Sequence, residues 1–152
     1  MRQWLIKKSL QRYWRITRAL TIGAQGVVFD EQNRVLLVRH GYRPGWHFPG
    51  GGVEANETIH TTVLRELEEE AGIEALDPPR LFGVYANFRS FPSDHIALFL
   101  VEKWRQPSVP EPNAEIAELG FFDQSSLPTG TVSGVSRRLR EIAEEAPISP
   151  DW

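Results

Sequence analysis

The chain contains no cysteine. Disulfides, thiolate nucleophiles and cysteine-ligated zinc are therefore excluded, and the composition suits a reducing cytoplasm, the expected location. A long apolar run is missing too. The longest, Ile96 to Val101, has six residues, against the ~20 needed to cross a bilayer as a helix. No transmembrane segment is expected. Acidic side chains are absent from the first 29 positions, although the chain carries 20 of them. A carboxylate metal site cannot draw on that stretch.

What the acid-free stretch does hold is positive charge: Arg2, Lys7, Lys8, Arg12, Arg15 and Arg18. Ile6, Leu10, Tyr13, Trp14 and Thr17 recur among them at helical spacing, which predicts a basic amphipathic helix over residues 1–20. Its expected role is to dock on the rest of the protein or on a second copy, as a homodimer contact. Contact with nucleic acid or an anionic membrane surface through residues 2–18 is the less favoured reading. The arginines break any apolar core of a secretory signal. Residues 21–148 then form one domain, as the 152-residue length and a composition of 41% hydrophobic and 24% charged residues suggest.

Within that domain, Ile22–Phe29 and Arg34–Arg39 are predicted strands, joined by the polar turn Asp30 to Asn33 and expected to pair antiparallel. A loop rich in glycine and proline runs from Gly41 to Glu57, and a helix from Thr58 to Ala71, stopped by Gly72 in the left-handed conformation. Leu81–Phe88, Asp94–Trp104 and Ile116–Phe122 are further strands, and Gly134–Ala146 a last helix. Mixed strands and helices in this order predict an α/β fold, a mixed sheet covered by helices.

The helix after the glycine loop carries Glu66, Glu68, Glu69 and Glu70. At 100° per residue, Glu66, Glu69 and Glu70 fall within an arc of about 100°, while Leu64, Leu67 and Ala71 form a stripe expected to face the core and Glu68 points to solvent. Like charges so placed repel. Arg65 offsets part of this by pairing with Glu69, and Glu66 and Glu70 still call for a cation. Hard oxygen donors suit Mg²⁺, with Mn²⁺ a further candidate. Just upstream, Gly50, Gly51 and Gly52 leave backbone groups free to approach an ion or a phosphate.

Gly51, five residues, Glu57, seven residues, then Arg65-Glu66-Leu67-Glu68-Glu69-Glu70-Ala71-Gly72-Ile73 resembles the Nudix box at every defined position. Asn56 stands where that family often has glycine, and asparagine tolerates the left-handed region. The resemblance implies the Nudix fold, an α/β/α sandwich, and a Mg²⁺-dependent hydrolase of nucleoside diphosphates linked to another group. It implies Glu66, Glu69 and Glu70 as metal ligands with the Gly50 carbonyl, and Glu57 bracing the loop through Arg65. Glu66 and Glu115 are the candidates for the catalytic base. A non-catalytic nucleotide sensor is the rival reading, which a degenerate box would favour and this intact one does not.

Arg39, His40, Tyr42, Arg43 and Trp46 are placed to hold phosphates and stack on a base, and Asn87, Arg89, Phe91 and His95 to close the same cleft. The substrate is not readable. The proline that marks ADP-ribose pyrophosphatases after the box is Phe88 here, and the cysteine of isoprenoid diphosphate isomerases is absent.

Overall fold

The apolar strands of this chain do not alternate with polar residues, because both of their faces are covered. In a computed structural model describing residues 19–152, Ala24, Val28, Leu36, Ala97, Phe99 and Val101 enter one buried cluster. Their strand neighbours Val27, Val35, Leu37, Leu98 and Leu100 enter another. Successive side chains on a strand point to opposite faces, so each run feeds two cores. Helix α1 (Ile59–Ala71) covers the first with Val63, Leu67 and Ala71, and α2 (Ser133–Glu144) covers the second with Val135 and Leu139. The architecture is a mixed α/β sandwich.

The strands are β1 (Thr21–Val28), β2 (Val35–His40), β3 (Trp46–His47), β4 (Gly50–Gly52), β5 (Glu74–Ala75), β6 (Arg80–Ala86), β7 (Asp94–Val101), β8 (Trp104–Arg105) and β9 (Ile116–Phe122). One mixed sheet has the order β4-β1-β7-β6, and a second has β3-β2-β9. In the first, β1 runs parallel to β7 and antiparallel to β4.

Several expectations are corrected. β1 and β2 do not form an extended hairpin. The Asp30 turn closes with one antiparallel bridge, Phe29 to Val35, and the chains then diverge into different sheets. The reason is that both hydrogen-bonding edges of β1 are already taken, by β4 and β7. The strand predicted to reach Trp104 ends at Val101, and Trp104 pairs instead with Ala75 in the small β5-β8 ribbon. Leu64 is 40% exposed and leaves the core stripe to Val63, Leu67 and Ala71. Short strands β3 and β4 lie inside the predicted Gly41 to Glu57 loop. The basic helix predicted over residues 1–20 lies outside the described residues except for Ala19 and Leu20, which are irregular and exposed.

Candidate metal and phosphate site

Helix α1 is fixed at both ends by its own sequence. The Thr58 hydroxyl accepts from Thr61 N–H at 3.1 Å at the N-cap. At the other end Gly72 takes φ 64° and donates to Glu68 O at 2.9 Å, and Ile73 N–H donates to Leu67 O at 3.0 Å. A β-carbon at Gly72 would stand 2.0 Å from Ser108 O, so glycine is required there.

The fixed helix aims its glutamates at the glycine strand. Gly50 N–H donates to Glu70 Oε2 at 2.8 Å. A β-carbon at Gly51 would meet Glu66 Oε1 at 2.3 Å, so the missing side chain is what lets that carboxylate lie against the strand. Glu57 and Arg65 form a two-pronged pair, Nε to Oε1 at 2.9 Å and Nη2 to Oε2 at 3.0 Å. Thr62 Oγ1 (2.7 Å) and Glu54 N–H (3.0 Å) also donate to Glu57 Oε2. These bonds, led by Arg65, hold the Glu57 carboxyl down at about 2. Asn56, at φ 68°, makes the turn just before it.

Glu66 and Glu70 are 8% and 3% exposed. Burial drives the Glu70 carboxyl up to about 8, against the Gly50 hydrogen bond, with the charges of Glu66 and Glu115 adding to the rise. Glu66 is raised for the same first reason, opposed by Arg65. Glu115 is exposed on a loop tied to the end of β2, where Gly41 N–H donates to Glu115 O at 2.9 Å. His40 is buried beside Glu70, its Nδ1 3.6 Å from Glu70 Oε1, too far for a hydrogen bond. Burial and the charge of Arg43 press its ring down to about 4, so it is neutral at pH 7 and makes no ion pair. Its Nε2 accepts from Arg43 Nη2 at 2.7 Å.

The donor set fits a hard divalent cation: two buried carboxylates whose charged forms are disfavoured, a third on the helix surface, and a strand of glycines against them. Among the described residues, no three acidic or histidine groups converge closely enough to hold an ion as they stand. Arg65 Nη1 lies between Glu66 Oε1 (2.6 Å) and Glu69 Oε2 (3.3 Å), and Glu70 turns to Gly50.

A cleft opens from the glycines in two lobes of about 450 Å³ each. Tyr42, Arg43 and Gly50 to Gly52 line the nearer lobe, and Arg89, Asn87 and Arg43 the farther one. Arg39 and Trp46 line neither. Arg39 pairs with Glu118, and Trp46 is a core residue 4.8 Å from the ring of Phe122. Trp46 is therefore packing, and its face is not free to stack on a base. His60 lies edge-on to Phe99, and Trp104 stacks on Phe121 while donating to Phe29 O.

The sequence reading missed Gln25, His47, Arg137, Asp151 and Trp152, all of which line the farther lobe. Gln25 left a signal: it is a polar residue inside the apolar run of β1 and is 8% exposed. The others carry no spacing that sets them apart.

The NUDIX domain model matches residues 19–141. An 8-oxo-dGTP diphosphatase of Proteus vulgaris is 39% identical over 88 residues, covering 54% of this chain and 76% of that protein. An ADP-ribose pyrophosphatase of Methanocaldococcus jannaschii is 29% identical over 129 residues, covering 82% of this chain and 74% of that one. The crystal structure of a MutT NUDIX hydrolase from Burkholderia pseudomallei superposes with a TM-score of 0.69 at 25% identity, covering 82% of this chain and 98% of the other. With Glu66 and Glu70 buried against the glycine strand and the family model matching residues 19–141, the chain belongs to the NUDIX family and is a Nudix pyrophosphohydrolase.

Proposed function

We propose that this protein hydrolyses a pyrophosphate linkage in a nucleoside diphosphate carrying a further group, with Mg²⁺ held by Glu66, Glu69, Glu70 and the Gly50 carbonyl, and with Mn²⁺ able to substitute. The observation that carries the proposal is the pair Glu66 and Glu70, buried side by side against Gly50 and Gly51 at the mouth of a cleft lined by Arg43. Two carboxylates withdrawn from water raise each other's proton affinity and gain a reason to stay charged only from a cation. When bound, such an ion neutralises phosphate charge and acidifies water.

The chain's own groups do the rest. Arg43, tethered to His40, and Tyr42 hold phosphate oxygens where the cleft begins. The Glu57–Arg65 clamp keeps the helix against the glycine strand, so that the carboxylates stay in register. Water attacks one phosphorus, the bridging P–O bond breaks, and the leaving phosphate departs with its oxygen. Glu66, next to the glycines, and Glu115, whose charge is felt at Glu66 and Glu70, are the groups placed to accept the water's proton. Arg89 belongs to the far end of the cleft, with the nucleoside. A cysteine-free chain is consistent with work in the cytoplasm.

The test is a screen of the purified protein with Mg²⁺ against 8-oxo-dGTP, nucleoside triphosphates, ADP-ribose, dinucleoside polyphosphates and 5′-triphosphate RNA. Cleavage of at least one at its pyrophosphate, lost in Glu66→Gln, is expected. Tight binding of a nucleotide with no cleavage would make the protein a sensor.

A further inference from the structure

The chain does not stop at the second helix. Glu145 ends α2 in the left-handed conformation, φ 49°, and the residues beyond it return to β6. Ala86 N–H donates to Pro150 O at 2.8 Å and Trp152 N–H to Ala86 O at 2.9 Å, so Asp151 lies in a parallel bridge opposite Ala86. The strap is anchored from beneath by Arg138, which is wholly buried. Arg138 Nη1 donates to Asp151 O at 2.9 Å and Nη2 to Glu141 Oε1 at 2.7 Å, with its guanidinium 4.1 Å above the ring of Tyr85. Glu141 in turn accepts from Ser149 N–H at 3.1 Å and Tyr85 O–H at 3.1 Å. The Trp152 indole covers Gly134 so closely that a β-carbon there would stand 2.5 Å from Nε1. Burying a guanidinium is costly unless it is paired, and here Arg138 holds the strap directly through Asp151 O and indirectly through Glu141, which accepts from Ser149 N–H.

The last two residues of the strap, Asp151 and Trp152, line the farther lobe of the cleft together with Gln25 and Asn87. Asp151 is the one carboxylate side chain among the described residues lining that lobe, which also include Arg43, Arg89 and Arg137. Its side chain is exposed and makes no ion pair among the described residues. Gln25 Oε1, buried in a residue lining both lobes, has no hydrogen-bond partner among the described residues. The lobe thus offers two unmatched acceptors. A carboxylate can only accept, and it matches an edge with two adjacent N–H donors, as guanine presents at N1 and the 2-amino group. Adenine sets a ring-nitrogen lone pair beside its amino group, which a carboxylate repels. Residues 149–152 lie beyond residue 141, where the family match ends.

We propose that residues 149–152 are a specificity strap, and that Asp151 selects a guanine-type base by accepting from its paired N–H donors, with Gln25 Oε1 as a further acceptor. This rests on the nucleotide hydrolase reading. The test compares dGMP and dAMP binding to the full chain by calorimetry, in the parent and in Asp151→Asn, alongside hydrolysis of dGTP and dATP. The parent should favour the guanine nucleotide, and the variant should lose roughly tenfold or more of that preference, since a donor-facing amide leaves one base N–H unpaired. The melting temperature should not move, because the Asp151 side chain is exposed. A Gln25→Leu variant should lose affinity for dGMP more than for dAMP. A parent that cleaves nucleotides without favouring guanine, or an Asp151→Asn protein with the parent's preference, overturns the strap and leaves the hydrolase standing. A parent that neither binds nor cleaves any nucleotide overturns both.

Discussion

Gly50 and Glu70 are joined by a 2.8 Å hydrogen bond, N–H to Oε2, across twenty positions of sequence. That bond ties the glycine strand to the box helix at the most buried carboxylate of the site. It also makes the two segments a single device, in which the strand's bare backbone sets where the acids stand.

The glycines separate cleanly by mutation. Gly51→Ala places a methyl 2.3 Å from Glu66 Oε1, whereas at Gly52 an added carbon meets nothing within 4 Å. Gly51→Ala is expected to remain folded, because only the end of a flexible side chain must move, but to lose on the order of tenfold or more in hydrolysis as Glu66 is displaced. Gly52→Ala is expected to stay within about 0.5 kcal/mol of the parent in stability. Steady-state kinetics and thermal melts on the two variants check this. Equal losses would show that the carboxylate's approach to the strand is irrelevant.

Metal-free stability should fall as pH rises above neutrality. Glu70 is raised from 4.5 to about 8, so between those values the folded chain binds a proton that the unfolded chain releases, and stability declines through that window. Glu66, also raised, acts in the same direction. His40 acts oppositely. It is lowered from 6.5 to about 4, so acid favours the unfolded chain there and stability rises with pH up to 6.5. The effects compete below 6.5, and above it Glu70 dominates. Melts in chelator from pH 6.5 to 8 should show a falling transition, flattened by Glu70→Gln. A transition that rises through this range in the parent would contradict the assignment.

The two arginines of the β2 end should part company. Arg43 lines both lobes of the cleft and is held by His40, while Arg39 is engaged with Glu118 outside it. Arg43→Ala should raise KM more than it lowers kcat, because a phosphate grip acts in ground and transition states alike. Arg39→Ala should leave both within about twofold, as exposed ion pairs contribute little. A larger kcat loss for Arg43→Ala would place it on developing charge.

Much of this site was legible because its parts are local. Thr58, Gly72 and the run between them specify a helix by capping chemistry alone, and the 3.6-residue period puts Glu66 and Glu70 on one face. Gly51 to Ile73 joins them to the glycines within 23 residues. What the sequence hid depends on distant partners. Val35 to Val38 look the same whether β2 pairs with β1 or β9, and the choice is made by strands far away in sequence, such as β9, which sets Phe122 opposite Val35. Trp46 sits among cleft-lining residues in sequence, yet its strand turns it into the core. Arg137 and Arg138 are adjacent basic residues on a helix, one exposed and one wholly buried on the face of Val135 and Leu139, where Tyr85 and the returning strap, distant in sequence, receive the guanidinium. Leu64 falls outside the buried face because that face is turned towards the site: it includes Thr62, Glu66 and Glu70 beside Val63, Leu67 and Ala71, which the apolar pattern alone does not reveal.

The most direct measurement is the response of Glu70→Gln to Mg²⁺, read by melting temperature and by hydrolysis of whichever nucleotide the parent cleaves. Glutamine keeps an acceptor for Gly50 N–H and cannot ionise, so the metal-free variant should melt at or slightly above the parent, most clearly as pH rises towards 8. Mg²⁺ at about one hundred times its dissociation constant should stabilise the parent by about 2.7 kcal/mol, and the variant much less. Hydrolysis should fall by roughly two or more orders of magnitude in the variant. A Glu70→Gln protein that keeps the parent's Mg²⁺ stabilisation and full turnover would contradict the account, because the buried carboxylate would then have no part in holding the ion.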